Sequence, residues 1–289
     1  MIYISTGGIK NKTATSAALE FHESGINKIE LSGGIYSKNF RREIKELPKT
    51  LDIQIHNYYP PAKVPFVFNL ASKDEEISSL SINHVKKSID LCSKIGSKIF
   101  AFHAGFRLDP KVNELGKKIN KNSLISREEA TDLFLKRVKF LHEEAKKINV
   151  QLMIENNVIS KKNIEHFQDD PLLFTNPKEI KEIMSMLPSD IGFLLDVAHL
   201  KVSSNSLGFD LEEGHKNLFQ EISAYHLSEN NGLSDQNKSL KETSWFWKDL
   251  KTKVKFFTLE IYNTSVEELK IQKSLVENSI ENINQSKRK

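Results

Sequence analysis

Eight short apolar segments recur along this 289-residue chain, each followed by a stretch with helical spacing. The segments are MIYIST, NKIELS, LDIQIHN, SKIFAFH, VQLMIEN, IGFLLDV, ISAYHLS and KFFTLEI. The helical patterns lie near residues 13–24, 38–47, 80–95, 127–148, 177–187, 211–220, 242–250 and 264–282. Such alternation predicts a parallel sheet, because each parallel connection needs a crossover that a helix supplies. Eight strands are the number that closes a barrel, and about 250 residues is its usual size. The expectation is therefore an α/β chain folded as a single (β/α)8 TIM barrel over residues 1–289, with a frayed basic tail from about 284.

Side chains alternate across a strand, so each segment can be tested for which residues share a face. In KIFAFH, Phe100 and Phe102 oppose Ala101 and His103. In QLMIE, Leu152 and Ile154 oppose Met153 and Glu155; in GFLLD, Phe193 and Leu195 oppose Leu194 and Asp196. The same phase pairs Gln54 with His56, Ala224 with His226, and Thr258 with Glu260. The bulky face suits the layer under the helices, and the other face points into the barrel. Six strands thus end in His, Glu or Asp on the inward face, at the C-terminal end where barrel enzymes build their sites. A lone buried histidine is more often a core residue, and a lone terminal carboxylate more often a helix cap. Six in phase fit neither reading. Burying an ionised carboxylate such as Asp196 costs roughly several kcal/mol without a partner, so a cation is expected among them. Mixed histidine and carboxylate ligands suit Zn²⁺, Mn²⁺, Co²⁺ or Mg²⁺ rather than a thiolate site, with one or two ions per chain.

Composition narrows the setting. The net charge is +4, of which the terminal SKRK supplies +3, so the body is near neutral and gives no positive support for nucleic-acid binding. No apolar run reaches the roughly 18 residues of a membrane span, and MIYISTGGIK lacks the pattern of a signal peptide. The single cysteine, Cys92, reads as a buried helix residue and excludes an intramolecular disulfide. A cytoplasmic location is expected, with no membrane partner and the oligomeric state open. Thr175-Asn176-Pro177 offers a helix cap, Gly25 and Gly96 follow helices as C-terminal caps do, and Gly7-Gly8 and Gly33-Gly34 stand as tight turns or ligand approaches. The Asn57–Ser79 connection is too long for a plain loop and so is expected to serve the site.

The motifs HNYYPP, NLAS, FHAGF, MIENN, LLDVAH, YHLSENNGLSDQN and TLEIY together resemble the xylose isomerase-like barrel superfamily, which includes endonuclease IV and the sugar isomerases and epimerases. The resemblance covers nearly the whole chain. For the epimerases it implies one metal held by Glu155, Asp196, His226 and Glu260. For endonuclease IV it implies further ligands matching His56, His103, His199 and Asp235. The last nuclease ligand, a histidine, falls on Asn237, an amide that is a poor zinc ligand. His56 and His103 allow a binuclear site as an alternative, and Asn237 speaks against a third ion.

Two activities follow from the resemblance. The first is a divalent-metal-dependent isomerase or epimerase acting on a sugar, sugar phosphate or nucleotide-linked sugar. There Glu155 and Glu260 would exchange a proton through an enediolate, and His199 would hold a substrate oxygen. Tyr58, Tyr59, Arg107, Asp235 and Asn237 are the expected substrate contacts, with Lys63 a further cation. The second is a phosphodiesterase acting on abasic DNA, where Arg41 and Arg42 would meet phosphate. A barrel that binds a ligand without turning it over is the third alternative.

Overall fold

The computed structural model describes residues 1–9, 11–120 and 123–287. Its strands are β1 (Ile2–Ser5), β2 (Lys28–Leu31), β3 (Asp52–His56), β4 (Ile99–His103), β5 (Gln151–Glu155), β6 (Gly192–Asp196), β7 (Ile222–Leu227) and β8 (Phe257–Leu259). They close in chain order, all neighbours parallel, with β8 pairing back onto β1. Around them run α1 (Ala14–Glu23), α2 (Phe40–Glu46), α3 (Glu75–Ile95), α4 (Arg127–Lys147), α5 (Lys161–Phe167), α6 (Pro177–Ser185), α7 (Val197–Leu207), α8 (Leu211–Leu218) and α9 (Val266–Ser286). The eight-stranded parallel barrel is the fold the alternation predicts.

The helices depart from a strict one-per-strand pattern. The α3 helix starts at Glu75, not near residue 80, because the Asp74 carboxylate accepts from the backbone N–H of Glu76 and Ile77. Two helices, α5 and α7, are additional. KKNIEHF is short and polar, so α5 carries little periodic signal. The α7 helix begins at the residue after β6, and its apolar start VAHL reads as more strand. The pattern at 242–250 is only a 3₁₀ turn, Trp245–Asp249. The last helix runs through Ser286, and Arg288 and Lys289 of the basic tail lie outside the described residues. Asn176 caps α6 ahead of Pro177, and Gly96 closes α3 at φ 78°, a conformation a Cβ would strain. Among the described residues no helix is long and apolar enough to cross a membrane.

Strand alternation divides the core as parity predicts. Phe100, Phe102, Leu152, Ile154, Phe193, Leu195 and Leu259 are buried in the layer between barrel and helices, which also takes Cys92. Inside the barrel, Tyr3, Ala101, Met153, Leu194, Ala224 and Phe256 form a separate apolar plug. Gly192 leaves room for it: a Cβ there would stand 2.9 Å from the Met153 side chain. Ala101, Met153, Leu194 and Ala224 each precede by two residues a polar residue of the mouth. The plug is therefore the floor on which that polar layer stands.

Candidate metal centre

Strand ends deliver the polar layer. His103 and Glu155 are register partners across β4 and β5, as are Asp196 and His226 across β6 and β7. Glu260 follows β8 directly, its N–H bonded to the Leu227 carbonyl at 3.1 Å. Glu155 is the hub. Its Oε2 lies 2.7 Å from His56 Nε2 and 3.3 Å from His103 Nδ1. Its Oε1 lies 3.2 Å from His226 Nδ1 and 3.7 Å from His199 Nδ1. Glu260 Oε1 stands 3.5 Å from His226 Nδ1 and 4.0 Å from His56 Nδ1.

Asp196 ends β6 and caps α7, its Oδ1 accepting the His199 N–H at 2.7 Å. The neighbouring Asn156 clamps the junction, accepting from the Asp196 N–H at 2.7 Å and donating to its carbonyl at 3.1 Å. His199 donates from Nδ1 to the Asn156 carbonyl at 2.9 Å, which turns Nε2 toward Asp235 Oδ2 at 3.4 Å.

Glu155, Asp196, His226 and Glu260 can each offer one ligand atom within 4.8 Å of the others; His56, His103 and Glu155 make a second such group, and Glu30, His56, His226 and Glu260 a third. The polar atoms themselves fit a cation. Glu155 Oε1, Asp196 Oδ2, His226 Nδ1 and His103 Nδ1 are all buried without a hydrogen-bond partner. Such atoms normally find partners, because desolvating them unpaired costs about 1–3 kcal/mol each. The three carboxylates of Glu155, Asp196 and Glu260 with the His226 imidazole are a hard-to-borderline donor set, suited to Zn²⁺, Mn²⁺ or Co²⁺.

Electrostatics carries the same mark. Burial opposes ionisation of Glu155, but His103, His226 and His56 outweigh it and hold the carboxyl well below its usual range. Asp196 is pushed up to about 7, first by burial and then, against the pull of His199, by the charges of Glu155, Asp235 and Glu260. His226 and His199 are raised well above the usual imidazole value despite their burial, His226 by Glu30, Glu260 and Glu155, and His199 by Asp196 and Asp235. His56 is also raised against its burial, chiefly by Glu155, whereas burial drives His103 down to about 3. Protons on the histidines balance the carboxylates of this layer, the role a divalent cation takes over.

Several residues proposed as substrate contacts lie elsewhere. Tyr59 is buried in the core, its backbone carbonyl accepting from Ser88 of α3, and Tyr58 packs near His84 with its hydroxyl accepting the Phe68 N–H at 3.2 Å. Both rings serve the helix layer, because the chain turns outward after His56. Arg107 is also committed: it donates to the Ile125 and Asp170 carbonyls at 3.0 and 2.8 Å and to Asp169. Lys63 is exposed, and Arg41 and Arg42 lie on α2, near Asp90 and Glu46. Asn69 of NLAS ties two loops together, accepting from Phe106 N at 2.9 Å and donating to Leu108 O at 3.1 Å and Asp109 at 2.9 Å. Asp235 remains beside His199. Asn237 is buried at φ 47°, its carbonyl accepting from Tyr262 N at 2.9 Å.

Two site residues escaped the sequence reading. Glu30 on β2 is 1% exposed, its Oε2 3.2 Å from His226 Nε2. Parity shows it, since Ile29 and Leu31 flank Glu30 as bulky residues flank the others. Tyr262 stands two residues beyond Glu260, on the same face. Burial, then Glu260 and Asp235, raises its hydroxyl well above the usual value. Its ring covers Gly7 and Gly8, where an added Cβ would stand 2.4 Å from the hydroxyl and 2.6 Å from the ring, respectively.

The comparisons agree with this architecture. A family model described as xylose isomerase-like TIM barrel matches residues 16–257. The uncharacterized protein MJ1614 of Methanocaldococcus jannaschii is 24% identical over 261 residues, 88% of each chain. An L-ribulose 3-epimerase structure superposes with a TM-score of 0.72 at 13% identity, covering 99% of this chain and 96% of its own. Endonuclease IV from Thermus thermophilus superposes with a TM-score of 0.58 at 13% identity, covering 96% and 99%. At such identities the two structures share the fold. With the family model spanning most of its length, the chain belongs to the xylose isomerase-like TIM-barrel family.

Proposed function

We propose that the protein is a divalent-metal-dependent sugar isomerase or epimerase, with Glu155, Asp196, His226 and Glu260 as the metal ligands. The observation that carries this reading is the convergence of unpartnered buried atoms of Glu155, Asp196 and His226 on one point, with Glu260 Oε1 beside them at 3.5 Å from His226 Nδ1. A divalent ion bound there supplies Lewis acidity toward adjacent hydroxyl and carbonyl oxygens, making the neighbouring C–H more acidic. The chain's residues then handle the proton. Glu155 and Glu260 come from β5 and the end of β8 and approach from different sides, one able to take a proton from carbon and the other to return it. Positioned carboxylates typically contribute about 10²–10⁴-fold to such a step. His199, fixed through its Nδ1, turns Nε2 toward the mouth, where it and Asp235 can orient a substrate oxygen. Tyr262 packs over Gly7 and Gly8 at the same end of the barrel. Epimerases among the similar folds favour this chemistry.

The test is solvent exchange. Protein loaded with Mn²⁺, Co²⁺ or Zn²⁺ is incubated in heavy water with ketoses, aldoses and their phosphates, and deuterium at carbon is read by mass spectrometry. Uptake that disappears in Glu260→Gln is the expected result. A full panel without uptake contradicts proton transfer on these sugars.

A second reading is an abasic-site phosphodiesterase. It is favoured by the grouping of His56 and His103 with Glu155, which gives a second ion ligands. Asn237 and the near-neutral body oppose it. Metal-dependent cleavage of abasic duplex, weakening steeply as salt rises, would make it the better reading.

A further inference from the structure

We propose that Glu30 is a positioning residue that fixes which ring nitrogen of His226 carries a proton, and thereby aims the other nitrogen at the metal. The inference rests on the metal-centre reading but concerns a residue outside the four proposed ligands. It begins with the hydrogen bonds at one oxygen. Glu30 Oε2 accepts from Gln54 Nε2 at 2.8 Å and from Thr258 Oγ1 at 3.1 Å, and it lies 3.2 Å from His226 Nε2. Gln54 Nε2 also donates to Thr258 Oγ1 at 3.0 Å, which turns the threonine hydroxyl hydrogen toward Glu30. With two donors already pointed at it, this oxygen is an acceptor. His226 must meet it with an N–H at Nε2.

That constraint decides the other side of the ring. A neutral imidazole protonated at Nε2 has its lone pair on Nδ1. Nδ1 faces Glu155 Oε1 at 3.2 Å and Glu260 Oε1 at 3.5 Å, and it has no hydrogen-bond partner. Between two carboxylate oxygens Nδ1 calls for positive charge: a second proton in the metal-free protein and, once that proton is displaced, an ion that takes the lone pair. The opposite tautomer would leave Glu30 facing a lone pair and put a proton where the ion belongs. Glu30, Thr258 and His226 are each at most 1% exposed and Gln54 is 5% exposed, so water does not compete for these bonds. A carboxylate behind a histidine ligand also makes the imidazole a stronger donor to the metal.

The experiment is ¹⁵N–¹H correlation on protein labelled in its histidine rings, with and without Zn²⁺, alongside chelator competition for Zn²⁺ affinity. In the wild type the neutral His226 ring is expected as the Nε2–H form, both in the metal-free protein at alkaline pH and in the Zn²⁺ complex, where the metal shifts Nδ1. In Glu30→Met, which keeps the volume and removes the acceptor, the two tautomers should mix in the metal-free protein at alkaline pH, and Zn²⁺ affinity should fall about 10–100-fold. Thr258→Val, which removes one donor and leaves Glu30 in place, should keep the Nε2–H form. A wild-type His226 found as the Nδ1–H form overturns the proposal without any variant, as does a Glu30→Met protein with unchanged affinity and an unchanged tautomer. Failure of the wild type to bind Zn²⁺ overturns the proposed function instead. The tautomer in the metal-free protein then decides the role of Glu30 by itself.

Discussion

Asp196 and His199 are joined by a single hydrogen bond that serves two purposes: Asp196 Oδ1 accepts the His199 N–H at 2.7 Å and starts α7, while Asp196 Oδ2 is left buried and unpartnered at the barrel mouth. The two oxygens can be separated by mutation. Asn caps a helix about as well as Asp, so Asp196→Asn should keep the thermal stability of the metal-free protein, or raise it by removing a buried charge. Its metal affinity should drop by more than the roughly 10–100-fold that a lost supporting hydrogen bond costs. Asp196→Ala should lose the cap as well, about 1 kcal/mol. Denaturant melts with and without Zn²⁺ check both. Equal Zn²⁺ stabilisation of the wild type and Asp196→Asn would show that Oδ2 has no part in binding.

Metal binding should release protons at neutral pH. His226, His199 and His56 are all raised above the usual imidazole value by neighbouring carboxylates, so the metal-free layer holds protons that an ion must displace. Because the free form binds more protons, affinity should climb with pH through the neutral range. Calorimetry in two buffers of different ionisation enthalpy gives the number released. A heat independent of buffer at pH 7 would sink this expectation.

Gly7 and Tyr262 form a matched pair. A Cβ on residue 7 would stand 2.4 Å from the Tyr262 hydroxyl, so Gly7→Ala must push the ring aside. Overpacking of this kind costs about 1–3 kcal/mol. Tyr262→Ala should abolish that cost, giving a clear coupling in a double-mutant cycle measured by urea melts. Additive effects would mean that the ring moves freely.

His215 gives a pH dependence remote from the metal centre. Burial lowers its pKa to about 4, and its Nε2 lies 3.0 Å from the Tyr225 hydroxyl. The unfolded chain, with the usual value near 6.5, binds this proton more readily than the folded one. Stability from this group is therefore complete above about pH 6.5 and is lost as pH falls toward 4, on the order of 3 kcal/mol in all. His215→Phe should flatten the wild-type stability curve over that window. Parallel curves for the two proteins would contradict the burial argument.

Much of this was legible in the sequence because strand parity is a two-residue rule. The rule that put His103 with Ala101 and Glu155 with Met153 needs no tertiary information, and the barrel plug has that composition. Glu30 obeys it too, and NKIEL differs only in carrying its acid in mid-strand rather than at the end. The helix α7 was hidden because Asp196 is both last strand residue and cap, leaving no loop for turn residues to mark. Tyr58, Tyr59 and Arg107 were misplaced for another reason. Their roles depend on where a long loop turns, and a run of aromatic, proline and basic residues has no period to give its direction.

The central claim is that one ion sits among Glu155, Asp196, His226 and Glu260. Anomalous diffraction from crystals grown with Zn²⁺ or Mn²⁺ tests it directly. The account predicts a peak bonded to these four side chains at about 2.0–2.2 Å, with His226 binding through Nδ1. Ordered side chains with no peak among them, or an ion held only by surface residues, would contradict it.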